Sequence, residues 1–459
     1  MSAENQSSPW ALRFSSWKLY LNEPVSAAPL VFFRLIFGLI MFIEVLRFFH
    51  HGWIERYFVE PNFYFPYTGF KWLSPLPGEG MFILFILLGV LSLCIFLGWF
   101  YRLAAFFFAL GFSYQFLLDQ SNYLNHFYLI ILLSFLLVVL PSHTYLSIDS
   151  LRNPLLRAKT VPFWSLFLLR FQLAIPYVFG GIAKLNADWL QGYPLKYWLL
   201  DRMDFPILGP YFNEKGMVLS FAYGGLLFDL LIVPALLYSR TRIPALFALA
   251  FFHVTNHMLF TIGIFPWLML LSTLVFLPPN WSEFLLRFKA GLEHLKTTKP
   301  HFGLTKPGMV FLACYISIQI LVPLRHYQVS ENPSWDEIGH RFAWHMKLRS
   351  KRGRVYLQVE NLDTRHRHFE DPAHHLSPRQ LRKLSTRPIM IHEFARKLKE
   401  FLLENGLENV AIRAHAMASL NGRPYQYIID PTIDLLKIKD PFWQNREWII
   451  PLYTPLQKF

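Results

Sequence analysis

The chain has 459 residues, of which 54% are hydrophobic and only 16% are charged, and its formal net charge is +14. Soluble domains carry about 25% charged residues, so this composition excludes an ordinary soluble protein. The two cysteines, with no CxxC motif, predict neither a disulfide, nor a redox pair, nor a cysteine zinc site. The basic tail is tethered to apolar segments, so we expect contact with membrane lipid and no binding of nucleic acid.

Apolar segments recur along the chain until about residue 324 and then stop. We predict a polytopic α-helical membrane protein of about nine spans, because roughly 20 apolar residues in a helix cross a bilayer. The predicted spans are 27–46, 81–99, 104–118, 124–140, 163–183, 217–238, 244–262, 264–278 and 308–323. They divide the chain into a transmembrane helical domain, 1–324, and a soluble α+β tail domain, 325–459.

Lysine and arginine in short loops predict the orientation, because such loops stay in the cytoplasm. A cytoplasmic N-terminus places the larger basic set inside: Arg13, Lys18, Arg102, Arg152, Arg157, Lys159, Arg240, Arg242, Arg287, Lys289, Lys296, Lys299 and Lys306. The opposite loops hold Arg56, Lys71, Lys184, Lys196, Arg202 and Lys215. With nine spans, the tail domain then lies outside the cytoplasm, in a periplasm or lumen.

Two regions outside the spans have recognisable local patterns. Residues 48–80 form an aromatic loop whose proline and glycine content excludes a helix and whose Trp and Tyr suit the membrane surface, where it can cap a cavity. In the tail, 354–360 alternates like a strand and 388–406 has the pattern of an amphipathic helix. Asn421-Gly422 is the strongest hairpin signal in the chain.

Lys184, at the end of the apolar run 163–183, is the most informative residue. An ammonium ion near the bilayer centre costs roughly 2.5–3.5 kcal/mol. Loss of the proton avoids this cost and leaves a neutral amine, which is a base or a nucleophile. The alternative is a lysine whose ammonium group reaches the interface. Asn186 and Asp188 can fix its geometry, and Trp189 can exclude water or stack on an aromatic ligand.

A second candidate is His143, in the segment 141–149 after the fourth span. Pro141 ends the helix, so this histidine is expected at the membrane boundary. There it can transfer protons, because its ordinary pKa lies near neutrality. The alternative is an interfacial histidine that is hydrogen-bonded to a loop.

The third candidate is a polar helix face inside a span. His253, Asn256 and His257 stand at positions i, i+3 and i+4 and therefore share one face, which should line the bundle interior or a cavity. An HxxxH pair can also bind a metal or face a haem. Membrane di-iron oxygenases need several histidine boxes, which this chain does not supply, so we expect no metal.

Four more charged residues lie within predicted spans: Arg34, Glu44, Arg170 and Asp229. We expect them to pair with one another across the bundle, because isolated charges are costly there. Among them, Arg170 and Glu44 are the better candidates for a functional role.

These segments resemble the vitamin K-dependent γ-glutamyl carboxylases and their bacterial relatives, the group that shares the horizontally transferred transmembrane (HTTM) domain. KLNADWLQGY, 184–193, looks like the family signature around its catalytic lysine. SHTYLSID, 142–149, and FFHVTNHMLFTIGIFPWLM, 251–269, resemble two further family segments. FAWHMKLRSKRGRV, 342–355, and IIDPTIDLL, 428–436, resemble segments of the family's tail. The chain departs from the family pattern at Ser142, Ala183, Asn186, Pro266, Trp267 and Phe342.

The resemblance implies a carbon–carbon lyase that uses a vitamin K hydroquinone of menaquinol or phylloquinol type, O2 and CO2. Lys184 occupies the position of the base that deprotonates the hydroquinone, whose oxygenation to the epoxide drives γ-carboxylation of a protein glutamate. His143 occupies the position of a histidine that handles protons on the glutamate side. The remaining candidates for binding quinone or substrate are His253, Asn256, His257, Trp189, Asn186, Asp188 and Arg170.

The animal enzymes continue well beyond the IDP segment, so we expect the quinone half of the chemistry to be better supported than the protein-substrate half. The expected partners are membrane lipid, a hydrophobic quinone and a Glu-containing protein or peptide. Four alternatives stay open on the sequence. They are an uncoupled quinol epoxidase, a carboxylase of an unrelated substrate, a non-enzymatic quinone- or lipid-binding protein, and a haem or metal oxidoreductase that uses His253 and His257.

Overall fold

The structure is a computed structural model that describes residues 16–260, 262–287, 302–439 and 446–456. The longer described helices are α1 Ala28–His50, α2 Gly80–Leu97, α3 Tyr101–Leu117, α4 Asn125–Val139, α5 Phe163–Ala183, α6 Lys215–Leu237, α7 Arg242–Phe260, α8 Phe265–Ser272, α9 Pro279–Arg287, α10 Lys306–Leu324 and α11 Pro388–Glu404. Shorter helices are Ile148–Arg152, Ala187–Leu190, Leu195–Leu200, His326–Val329 and Pro378–Leu384. Arg13, Lys289, Lys296 and Lys299, on which the predicted orientation partly depends, lie outside the described residues.

Six of the described helices are long and apolar enough to cross a membrane: α1, α2, α5, α6, α7 and the segment that begins with α10. They identify an integral membrane protein. The prediction of nine spans is not confirmed, because the other three segments form helices of 17, 15 and 8 residues. A helix of 15 residues is about 22 Å long, which is shorter than the roughly 30 Å hydrocarbon core. The last one, α8, tightens into a 3₁₀ turn over Thr273–Phe276.

The two ends of the bundle are distinguished by what they contact. Strand β1, Pro24–Ser26, pairs antiparallel with β2, Thr160–Pro162, and so joins the starts of α1 and α5. We call this the entry end. The Thr144 carbonyl accepts a hydrogen bond from the Ala158 amide, which holds the loop after α4 at the same end. Helix α5 then runs through the bundle and ends at the opposite side, where the tail packs.

The intramembrane charges do not pair with one another in the described part of the chain, so that prediction is wrong. Arg34 donates to the Leu146 carbonyl at 2.5 Å, and Arg170 donates to the Val275 carbonyl at 2.9 Å. Glu44 pairs with Arg47, one turn along its own helix. Both arginines thus donate to backbone carbonyls and need no carboxylate for these hydrogen bonds, because a guanidinium has five N–H donors. The Nε and one Nη atom of Arg34 are buried without a hydrogen-bond partner. Asp229 has a different partner, described below.

The described strands of the tail are β3 Lys351–Asn361, β4 Arg367–Glu370, β5 Val410–Leu420 and β6 Gln426–Tyr427. They form an antiparallel sheet in the order β4-β3-β5-β6. The buried side of α11 packs with the sheet in one apolar cluster that includes Leu357, Phe394 and Ile412. Strand β3, the amphipathic helix and the hairpin confirm the predicted patterns. Asn421 and Gly422 have φ values of 51° and 78°, the left-handed conformation that such a two-residue turn requires.

The aromatic loop 51–79 packs against the tail. The Gln380 side chain donates to the Phe63 carbonyl at 2.6 Å, and the rings of Phe63 and Phe394 lie 5.3 Å apart. One short π-helical segment, Glu55–Val59, forms before the first proline, contrary to the expectation of no helix. Prolines at 61, 66, 75 and 77 keep the rest irregular.

Candidate active site

A cavity of about 800 Å³ lies between α5, α6, α7 and the start of α8. Its walls are largely apolar and include Pro176, Phe228, Ile232, Phe252, Phe265 and Met269. Two other lining residues, Leu231 on α6 and Phe251 on α7, are 56% and 71% exposed. Both helices are membrane spans, so the cavity opens sideways between them towards the lipid. Pockets of roughly 300–1,000 Å³ with apolar walls are typical of sites for small molecules.

Lys184 lies at the inner wall of this cavity. It follows directly after α5, is only 6% exposed, and its ammonium group forms an ion pair with the Asp229 carboxylate of α6. The Nζ atom also lies 3.4 Å from the Gly180 carbonyl, one turn back along α5. The side chain therefore points back into the bundle, which is the opposite of a lysine that reaches the interface.

Small residues on α5 make this pairing possible. A Cβ atom at Gly181 would lie 2.6 Å from the Leu230 side chain, and one at Gly180 would lie 3.2 Å from the Asp229 carboxylate. Glycine at these positions therefore lets α5 and α6 approach closely enough for the ion pair.

The pair changes the electrostatics expected from the sequence. Burial alone favours a neutral amine, whereas a carboxylate in contact stabilises the ammonium ion. In a dry site the desolvation cost of both charges opposes their attraction. Asp229 was expected only as a bundle charge. The signal that singles it out is its position as the one acidic residue of an apolar span, opposite a span that ends in lysine.

The segment 184–193, which we call the elbow, follows α5 and positions Asn186 and Trp189 near the lysine. Asn186 caps the short helix Ala187–Leu190, because its side-chain oxygen accepts from the Trp189 amide at 3.0 Å and its amide donates to the Ala183 carbonyl at 2.8 Å. The Trp189 indole donates to the Ala222 carbonyl of α6 at 2.8 Å, which fixes its ring 5.3 Å from the Lys184 Nζ atom. Asn186 thus orients the cavity wall and does not contact the lysine ammonium group within hydrogen-bond distance.

Asp188 faces the tail. Two hydrogen bonds of 2.7 Å join its carboxylate to the Arg423 guanidinium, and the Asn421 side chain donates to it at 2.7 Å. Between these two tail residues, a Cβ atom at Gly422 would lie 1.8 Å from the Tyr197 hydroxyl oxygen. The tail hairpin is therefore packed directly on the elbow that follows Lys184.

We expect Arg423→Ala to lower the free energy of unfolding by about 2 kcal/mol, because it removes charge-assisted hydrogen bonds from a mostly buried carboxylate. Thermal unfolding of the purified protein measures the effect. Arg352→Ala, which removes an exposed arginine from β3, is the matched control and should change the melting temperature little. Equal melting temperatures for both variants would contradict a role of Arg423 in holding the tail.

The polar face of α7 divides between two environments. His253 and Asn256 line the cavity, and the His253 Nε2 atom lies 2.8 Å from the Tyr177 hydroxyl of α5. His257 is outside the described lining, and its ring packs 5.3 Å from the ring of Trp267. Among the described residues, no three His, Cys, Asp or Glu side chains are grouped closely enough to hold a metal ion.

His143 and Arg170 lie away from the cavity. His143 is at the entry end, where its ring stacks on Tyr101 at 4.9 Å. Helix α5 has 21 residues and is therefore about 30 Å long, and Lys184 lies at its far end. Burial, with a smaller contribution from Arg102, lowers the pKa of the His143 imidazole to about 4. The structure does not bring His143 together with Lys184.

Sequence reasoning missed the contribution of the tail to the cavity. Met346 and Lys347, which follow the last span by about 20 residues, are part of its lining. His126 on α4 is outside the described lining, and its ring lies 5.7 Å from that of Phe265, which lines the cavity. The tail residues belong to one of the segments that resemble the family, and that resemblance was the available signal.

Two family models cover most of the chain. The HTTM domain model matches residues 22–281, more than half of the chain, and the model of the vitamin K-dependent gamma-carboxylase lumenal domain matches residues 304–454. No solved structure matches the chain. The resemblance inferred from the sequence is thereby confirmed, and the chain belongs to the HTTM family of vitamin K-dependent gamma-carboxylase-like proteins.

Proposed function

We propose that the chain is an integral membrane enzyme of γ-glutamyl carboxylase type, which uses a vitamin K hydroquinone as its cofactor and carboxylates glutamate in a protein or peptide. The observation that carries the proposal is the buried Lys184–Asp229 pair on the wall of an apolar cavity that opens towards lipid. A hydroquinone with an isoprenoid chain is itself soluble in lipid and fits such a cavity. Family membership favours this cofactor and this substrate class.

The residues of the cavity fit the cofactor. The apolar side chains of α6 and α7 would hold the isoprenoid chain, and Lys184, His253 and Asn256 supply polar groups for the ring hydroxyls. When bound, the hydroquinone supplies the reducing equivalents that react with O2 and so provide a strong base for glutamate deprotonation. The protein contributes a dry site, because Trp189 and the tail residue Met346 cover the wall around the lysine.

The pair provides a route for the proton. The Lys184 ammonium group transfers one proton to the Asp229 carboxylate, and both groups become neutral. The free amine at Nζ then accepts a proton from a ring hydroxyl and returns to the ammonium form. General-base catalysis of this kind typically contributes a factor of about 10²–10⁴ to the rate. His143 has no part in this scheme, because α5 separates it from Lys184.

We place the tail on the extracytoplasmic side and the N-terminus in the cytoplasm. The matched tail model is named for a lumenal domain. The loop charges predict a cytoplasmic N-terminus, and the tail packs at the end of the bundle opposite to the start of α1. We keep residues 1–324 as the transmembrane domain and 325–459 as the extramembrane domain. The hairpin contact with Asp188 then joins the two domains beside the lysine.

The direct test uses purified protein with a phylloquinol or menaquinol, O2, labelled bicarbonate and a Glu-containing peptide. We expect both epoxide and fixed label. Epoxide without fixed label would support the uncoupled epoxidase. If neither product formed, the result would favour a protein that only binds a quinone or lipid. A Soret band or stoichiometric iron would favour a haem or metal enzyme instead.

Ala248 on α7 tests the lateral opening. It is exposed and lines the cavity, so Ala248→Trp should narrow the opening. We expect the KM for a long-chain menaquinol to rise about tenfold, with a smaller rise for a short-chain analogue. The neighbouring Phe247 is exposed but outside the described lining, so Phe247→Trp is the control. Equal KM values for Ala248→Trp and the control would contradict entry of the menaquinol between α6 and α7.

A further inference from the structure

A second lysine lines the same cavity. Lys347 lies on the tail segment 342–348, and its ammonium group is 5.0 Å from the ring centre of Trp198 and 5.3 Å from that of Phe260. The residue is exposed. In the described part of the chain, no ion pair joins it to a carboxylate, whereas Lys184 is paired with Asp229. Aromatic rings orient an ammonium ion by cation–π attraction and leave its charge available to an anion.

The backbone holds Lys347 firmly in this place. Phe342, Trp344 and Lys347 all have positive φ values, 63°, 58° and 51°, which are uncommon for residues other than glycine. The segment is anchored to the bundle, because the Phe342 amide donates to the Tyr123 hydroxyl at 2.8 Å and the Asn125 side chain donates to the His345 carbonyl at 3.1 Å. Such backbone conformations persist only where surrounding contacts impose them, and they cluster at binding sites.

We propose that the Lys347 ammonium group binds the carboxylate of the acidic substrate side chain at the mouth of the cavity. This inference rests on the proposed function, in which glutamate is the group that is modified. The hydroquinone is neutral and does not need a cation at this position, whereas a carboxylate entering an apolar cavity does. Binding there places the substrate on the same cavity as Lys184 while leaving the Lys184–Asp229 pair intact.

A binding experiment tests the inference independently of turnover. A Glu-containing peptide and its Gln counterpart are titrated into the purified full-length protein by calorimetry. Lys347→Met should raise the Kd for the Glu peptide about tenfold or more, because it removes a charge-assisted contact, and should leave the Kd for the Gln peptide unchanged. Lys347→Arg should restore most of the affinity. The control is Lys196→Met, since Lys196 also lies over an aromatic ring, Tyr193, but is outside the described lining.

A lipid headgroup phosphate is the other anion that an exposed ammonium group at a membrane can bind. The titrations are therefore repeated in nanodiscs of neutral phosphatidylcholine and of anionic phosphatidylglycerol. A Kd for the Glu peptide that Lys347→Met does not change, in either lipid, would overturn the inference. The readout is affinity, so a wild type that binds the Glu peptide through Lys347 but fixes no label would refute the proposed function and leave the carboxylate site standing.

Discussion

Lys184→Met is expected to abolish epoxide formation, with a fall in kcat of at least about 10²–10⁴-fold, because it removes the amine that accepts the proton. Carboxylation should fall by the same factor, since it depends on the oxygenation step. Epoxide and fixed label are measured in the same reaction. The control is Lys196→Met. Lys196 lies on the nearby short helix Leu195–Leu200, outside the described cavity lining, so this variant should keep both activities.

Loss of activity in Lys184→Met has a trivial explanation if the protein unfolds, because the variant leaves the buried Asp229 carboxylate without its partner. The double variant Lys184→Met/Asp229→Leu removes both charges and should fold. It should nevertheless remain inactive. A double variant that is both stable and active would show that Lys184 is a structural residue and not the base.

Asp229→Leu alone is expected to lower the free energy of unfolding by about 3–5 kcal/mol, because it leaves a buried ammonium ion without a counter-charge. Addition of Lys184→Met should restore most of this loss, since apolar side chains of similar volume replace buried ion pairs at little cost. Denaturant titration in detergent micelles measures both values and their coupling free energy.

The control for this cycle is Asp204→Leu. The Asp204 carboxylate is exposed and lies 3.8 Å from the Arg202 guanidinium, so its loss should change stability by less than about 1 kcal/mol. Equal destabilisation in Asp229→Leu and in the double variant would argue against direct coupling between Lys184 and Asp229.

Much of the fold is encoded in local patterns and could be predicted. Apolar runs predict helices, and Asn421-Gly422 predicts a hairpin because both residues tolerate left-handed backbone. The number of spans could not be predicted in the same way. Hydropathy does not show where a helix tightens, as α8 does at Thr273, or that α4 is only 15 residues long.

The candidate site was predicted in part. Lys184, Trp189, His253 and Asn256 do line one cavity. The partner of the lysine was missed, because the pairing of Lys184 with Asp229 depends on how closely α5 and α6 pack. His143 lies at the entry end, which could not be predicted because a matching motif does not state at which end of the bundle its residues lie. Its role in handling protons stays a prediction.

The contribution of Met346 and Lys347 to the cavity wall has a consequence for the biosynthesis of the protein. Ribosomes make the chain from its N-terminus, so Lys184 enters the membrane before the tail that helps to enclose it exists. Until the tail has folded onto the elbow, water reaches the lysine and hydrates its charge. The tail therefore completes the dry environment that favours the neutral amine, and the proton transfer that we propose requires the finished molecule.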